Sequence, residues 1–212
     1  MLRSVKDLEK FRLATVDGKP AGRVKDLYFN DQTWTVRHLV VALDTRLHGQ
    51  KQVLLSPEAV DTVRDEDETI LLNIHSADLV QAPSHTSVLP VCKQYASLAL
   101  SSPGASAFGR ALTGADPHLR SARAVANYRL NVMGEFAGTL SDLLFSPAAG
   151  WAIQYLAVEQ VIDRRRIQFH ILPAAVERFT WASQRVLLKY LQPVALARHT
   201  PASFLPSEAL VA

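Results

Sequence analysis

The chain has 212 residues, 48% hydrophobic and 20% charged, a balance that argues against wholesale disorder and supplies a core for one large domain or two small ones. Its formal net charge of +3 comes from scattered Lys and Arg, which favours a solvated surface over a nucleic-acid footprint. The single cysteine, Cys92, excludes an intramolecular disulfide and a cysteine-based zinc site, and no window approaches the roughly 18–20 apolar residues of a membrane span.

Residues 2–10 predict one helical turn capped by Ser4, with Val5 and Leu8 pointing inward. The N-terminus has no apolar signal region, so the expected location is cytoplasmic. Residues 11–15 alternate, Phe11 and Leu13 against Arg12 and Ala14, as a half-buried strand does. Asp17-Gly18-Lys19-Pro20 is a turn signal. Residues 22–29 resume alternation but slip between Val24 and Leu27, which predicts a bulge. Asn30-Asp31 then turns the chain into its most conspicuous strand, residues 34–43. The opening alternation of that strand sets Trp34, Val36 and His38 on one face and Thr35, Arg37 and Leu39 on the other, before a continuous apolar run. A loop around Gly49 follows over residues 46–51, then a strand at 52–55 and a helical turn opened by Ser56-Pro57. A short strand at Val63, the acidic turn Asp65-Glu66-Asp67-Glu68, a strand at 70–74 and a closing turn at 76–81 complete a small β-barrel or strongly bent sheet.

Residues 82–117 hold Pro83, Pro90, Pro103 and Pro117 with Gly104, Gly109 and Gly114, the composition of a linker, with a short helix expected over residues 91–100. Residues 119–199 then replay residues 2–82. Leu119-Arg120-Ser121 repeats Leu2-Arg3-Ser4, and Trp151 repeats Trp34, at an offset of 117; Gly138 repeats Gly22, and Asp142-Leu143-Leu144-Phe145 repeats Asp26-Leu27-Tyr28-Phe29, at 116. Gains and losses fall in turns, as they must if strands are to keep their apolar faces inward. Both copies keep an aromatic start and an apolar end on the central strand, so Trp34 and Trp151 are read as core anchors, not ligand-stacking platforms.

The run Gly22-Arg23-Val24-Lys25-Asp26-Leu27-Tyr28-Phe29-Asn30-Asp31-Gln32-Thr33-Trp34-Thr35-Val36-Arg37-His38-Leu39-Val40-Val41, closing with Val53-Leu54-Leu55-Ser56-Pro57, resembles the PRC-barrel domain. That is the barrel of the cytoplasmic domain of the photosynthetic reaction centre H subunit, found also in the ribosome maturation factor RimM. The resemblance covers nearly all of residues 1–80 and, more weakly, 118–200. It implies a mainly β fold: two small PRC-type β-barrels in tandem with short helical turns and a partly helical linker. The expected divisions are a first barrel at 1–81, a Pro/Ser/Ala/Gly-rich linker at 82–117, a second, divergent barrel at 118–200 and a tail at 201–212. Fold analogy alone carries no function.

Chemistry is sparse. The seven histidines form no metal-ligand pair, there is no G-x-S-x-G, P-loop or G-x-G-x-x-G, and Cys92 has no local histidine. The sequence points to no catalytic, cofactor-binding or metal-ligating residue and to no enzyme. The candidate interaction surface consists of Arg37 and His38 on the tryptophan strand, Asp65 and Asp67 in the acidic turn, and Arg164, Arg165 and Arg166 at an expected hairpin turn. The leading expectation is a protein-interaction or scaffold module with a protein partner or self-association. A peripheral membrane accessory of a photosynthetic or electron-transport complex is the alternative, and RNA or ribosome binding through Arg164–Arg166 comes third.

Overall fold

The computed structural model describes residues 1–44, 51–100, 115–194 and 196, with the backbone alone over 96–100. The expected loop around Gly49, the middle of the connector and the expected C-terminal tail lie outside the described residues. The mainly β class holds. In the first half, β1 (Arg3–Ser4) leads into α1 (Val5–Leu8), then β2 (Arg12–Ala14), β3 (Pro20–Asn30), β4 (Thr35–Leu43), β5 (Gln52–Leu55), β6 (Val60–Arg64), β7 (Thr69–Leu72) and α2 (Ser76–Gln81). A connecting helix, α3 (Val91–Leu100), precedes the second half: β8 (Leu119–Ser121), α4 (Ala122–Val125), β9 (Arg129–Val132), β10 (Glu135–Ser146), β11 (Ala152–Ile162), β12 (Arg165–Ile171), β13 (Val176–Thr180) and β14 (Arg185–Leu188). Ser4 accepts the Asp7 N–H and Ser121 the Ala124 N–H, so each short helix starts at the predicted or the equivalent cap.

The sheet is not closed into the two barrels expected. Its hydrogen-bonded order runs open, β13-β14-β9-β10-β11-β4-β3-β2-β7-β6, through both halves. What bends it is repeated with one residue of slack. Extra residues bulge at Ala21, Lys25, Arg37 and Asp61 in the first half, and at Ala137, Ser141, Gln154 and Glu177 in the second. Each bulge increases local twist and re-aims the strand beyond it. The Lys25 bulge is the one the sequence slip predicted. The Arg37 bulge overturns the expected face assignment: it resets the phase of β4, so Val36 and Leu39 both enter the core while Arg37 is exposed. Trp34 and Trp151 stand just before their strands with φ of 55° and 60°, outside the ladder. Trp151 is buried and Trp34 partly buried, each packed on the core and stacked on a buried phenylalanine, Phe145 and Phe29 respectively.

The halves are sewn together by exchange. β1 of the first half pairs with β10, and β8 of the second pairs with β3. Between them Thr35 pairs with Ala152, the Val36 N–H donates to the Trp151 carbonyl at 3.0 Å, and the Ile153 N–H donates to the Trp34 carbonyl at 2.7 Å. Every one of these contacts is answered by its own image 116 or 117 residues away, the pattern of an isologous interface held within one chain. One contiguous cluster of buried side chains therefore spans both halves, from Val5 to Leu188.

Candidate interaction surface

Two places in this fold carry polar or unpartnered groups worth weighing: the seam between the halves and the far end of β11–β12. At the seam, the Ser121 hydroxyl donates to Asp26 at 2.6 Å, and the Arg123 and Leu27 N–H groups donate to the same carboxylate at 3.0 and 2.8 Å. Asp142 is the image of Asp26. It accepts from the Ser4 hydroxyl, from the Leu143 N–H at 2.7 Å and from the Lys6 N–H at 3.4 Å. Burial pushes both carboxyls above their ordinary range, and these hydrogen bonds pull part of the way back. Asp31, nearly buried, binds Arg120 at 2.6 Å and His118 at 2.9 Å across the same seam. That pair has no image, because Pro147 stands where Asp31 would repeat.

These groups hold the halves; they are not poised for chemistry. A cavity of about 170 Å³ sits on the seam, lined by Val5, Lys6, Ala122, Arg123, Leu140 and Asp142 among others. It is smaller than the roughly 300 Å³ at which organic ligands are held. Burial and the nearby Asp26 push the Cys92 thiol up, which keeps it protonated and unreactive. Burial lowers the pKa of His38 and His170. Among the described residues no group of three His, Cys, Asp or Glu is placed to hold a metal ion.

The sequence-named surface residues are not brought together. Arg37 is exposed at the β4 bulge with His38 half-buried beside it. Asp65 binds Arg3 at 2.5 and 3.0 Å, and Asp67 binds Arg64 at 2.7 Å, so the acidic turn is a locally paired hairpin end. Arg164–Arg166 lie at the tip of β11–β12, where Asp163 and Arg164 both take positive φ, as a two-residue type I′ turn requires.

That tip carries what the sequence did not announce. β11 pairs with β10 only as far as Glu159, opposite Thr139. Beyond it, Gln160–Ile162 pair with β12 alone, opposite Ile167, Arg166 and Arg165. The overhang is a two-stranded ribbon with Val161 66%, Ile162 44% and Ile167 39% exposed. Its apolar β-branched residues read in sequence as a core strand. Only the register shows that the neighbouring strand has already turned away at Gly138, where φ is 135°.

A family model described as PRC-barrel domain matches residues 2–79. The first half of the chain is a PRC-barrel domain. No curated protein matches the chain. Within the PRC-barrel domain the strand order is β5-β4-β3-β2-β7-β6, and the second half repeats it as β12-β11-β10-β9-β14-β13, parallel pairs β2–β7 and β9–β14 included. Among the described residues no helix is long and apolar enough to cross a membrane.

Proposed function

We propose that the protein is a non-enzymatic interaction module in which the PRC-barrel domain and its structural copy form one rigid platform and the β11–β12 ribbon is the recognition element. The observation that carries this reading is the overhang itself: exposed β-branched side chains beside an edge strand, projecting from a sheet whose other apolar residues are buried. Exposed apolar residues grouped on a projecting element mark sites of association more often than single scattered ones do. The rest of the fold supplies rigidity, since both halves share one core and one sheet.

The test compares capture by the full chain with capture by the variant Val161→Asp/Ile167→Asp. Both positions are solvent-exposed, so thermal unfolding of the variant should stay within about 0.5 kcal/mol of the parent. The expected result is that proteins reproducibly retained from native lysate by the parent are lost from the variant. Retention of the same proteins at the same yield would place recognition elsewhere.

A further inference from the structure

Strand β12 presents its outer backbone edge to solvent. In the first half, the equivalent β5 has that edge closed: the Leu54 N–H donates to the Pro83 carbonyl at 2.8 Å, the His85 N–H donates to the Gln52 carbonyl at 3.1 Å, and Val53 bridges to Ser84. On β12 the described residues close only one position, where the Val194 N–H donates to the His170 carbonyl at 2.8 Å. From Arg165 to Phe169 the edge has no backbone partner among the described residues, a free run of about 17 Å at strand rise. Cationic side chains crowd the same run. Arg166 lies 3.7 Å from Glu159, and among the described residues neither Arg164 nor Arg165 has an acidic partner.

We propose, building on the ribbon reading above, that the occupant of this edge is an acidic extended segment of another protein, added to β12 as a further strand. Backbone pairing would supply the affinity and side chains the selection, as in strand addition generally. The register says which side chains select. Ile162, Arg165 and Ile167 share the face that continues outward from the buried Val158, while Val161 and Arg166 share the opposite face. An added strand would therefore meet an arginine and an exposed apolar side chain on each face, and a segment alternating β-branched with acidic residues fits both.

Three other occupants fit less well. A second copy joined edge to edge would gather both sets of Arg164–Arg166 on one ribbon, within the screening length of about 8 Å that leaves like charges repelling. A bilayer would receive the ribbon only by burying the unpaired N–H and C=O groups of β12 in hydrocarbon. Single-stranded nucleic acid asks for aromatic stacking platforms, and the ribbon tip has none.

The experiment measures fluorescence anisotropy of the full chain with a labelled decapeptide alternating valine and glutamate. Its comparators are the valine–lysine counterpart, the valine–glutamate peptide N-methylated at alternate residues, and vesicles containing phosphatidylserine. The expected result is at least tenfold tighter binding of the glutamate peptide than of the lysine peptide, a loss of at least tenfold in the variant Arg165→Glu/Arg166→Glu, and no binding by the N-methylated peptide. Equal binding of both charge types overturns the proposal, as does survival of binding after N-methylation. Binding to the vesicles but not to the peptide overturns it in favour of a membrane surface. If Val161→Asp/Ile167→Asp abolishes capture from lysate while the glutamate peptide stays unbound, the ribbon reading stands and the acidic strand fails.

Discussion

The first and second halves share their bulges, their helix caps and their stacked tryptophan–phenylalanine pairs, yet they end their edge strands differently. β5 has four residues and is closed by residues 83–85; β12 has seven and runs past its neighbours into solvent. What the halves share is what packing demands: a bulge moved by one residue would turn an apolar face outward. Where they differ, packing demands nothing. In this chain, then, departure from the repeat locates the candidate surface better than residue type does.

The comparison breaks most visibly at the aromatic pairs. Phe29 and Phe145 are both fully buried and both stacked on their tryptophans, at 6.0 and 5.3 Å between centroids. Phe29 also meets Phe179 of the second half edge-on at 6.1 Å. Truncation to alanine should cost about 3–5 kcal/mol at either position, with Phe29→Ala at the upper end because it also opens the seam. Urea unfolding of the full chain reads both. Equal losses would mean that the Phe179 contact contributes nothing.

Much of this was legible in sequence, for reasons that differ by residue. The Lys25 bulge showed because apolar positions visibly slip between Val24 and Leu27. The connecting helix over residues 91–100 was placed where it forms. The bulge at Arg37 was silent: Trp34, Val36 and His38 mimic regular alternation, and nothing in one strand reveals that its partner is one residue short. The seam was hidden for a deeper reason. Ser4 and Asp142 are 138 residues apart, and a repeat announces that two units are alike without saying how they meet. Its components were nonetheless visible, since Ser4, Ser121, Asp26 and Asp142 all repeat. The ribbon was half legible: Arg164–Arg166 was placed at a turn, whereas Val161 and Ile162 carry no sign of the strand that fails to cover them.

A smaller effect separates the two glycine bends. A Cβ on Gly22 would lie 2.0 Å from the Ala42 carbonyl oxygen, and one on Gly138 would lie 2.6 Å from a γ-methyl of Val158. Backbone cannot step aside as a side-chain terminus can. With φ of 128° and 135°, both alanine variants also carry backbone strain. Gly22→Ala should therefore destabilise by about 3 kcal/mol and Gly138→Ala by about 2. The same urea titrations order them, and a larger loss at Gly138 would reverse the argument.

The smallest difference tests whether the seam's carboxylates stabilise the fold or are merely tolerated by it. Ser121→Ala removes one donor from Asp26 and Ser4→Ala one from Asp142. Each should cost about 1–2 kcal/mol, because a buried acceptor and a helix cap are lost together. The carboxyls themselves act in the opposite sense at neutral pH. Burial raises the pKa of Asp26 and Asp142 above the ordinary 3.8. A group shifted this way favours the folded state fully below its unfolded pKa, and that contribution is lost as pH rises through the folded value. Asp65, held low by Arg3, has the reverse dependence, but it is present in parent and variant alike and cancels from their difference. Asn at both positions keeps an acceptor for the backbone N–H groups and can donate to Ser4 and Ser121 without carrying charge. The stability of the parent relative to Asp26→Asn/Asp142→Asn should therefore fall between about pH 3 and pH 7. A flat difference across that range would mean that the hydrogen bonds at the seam fully offset the burial of its two charges.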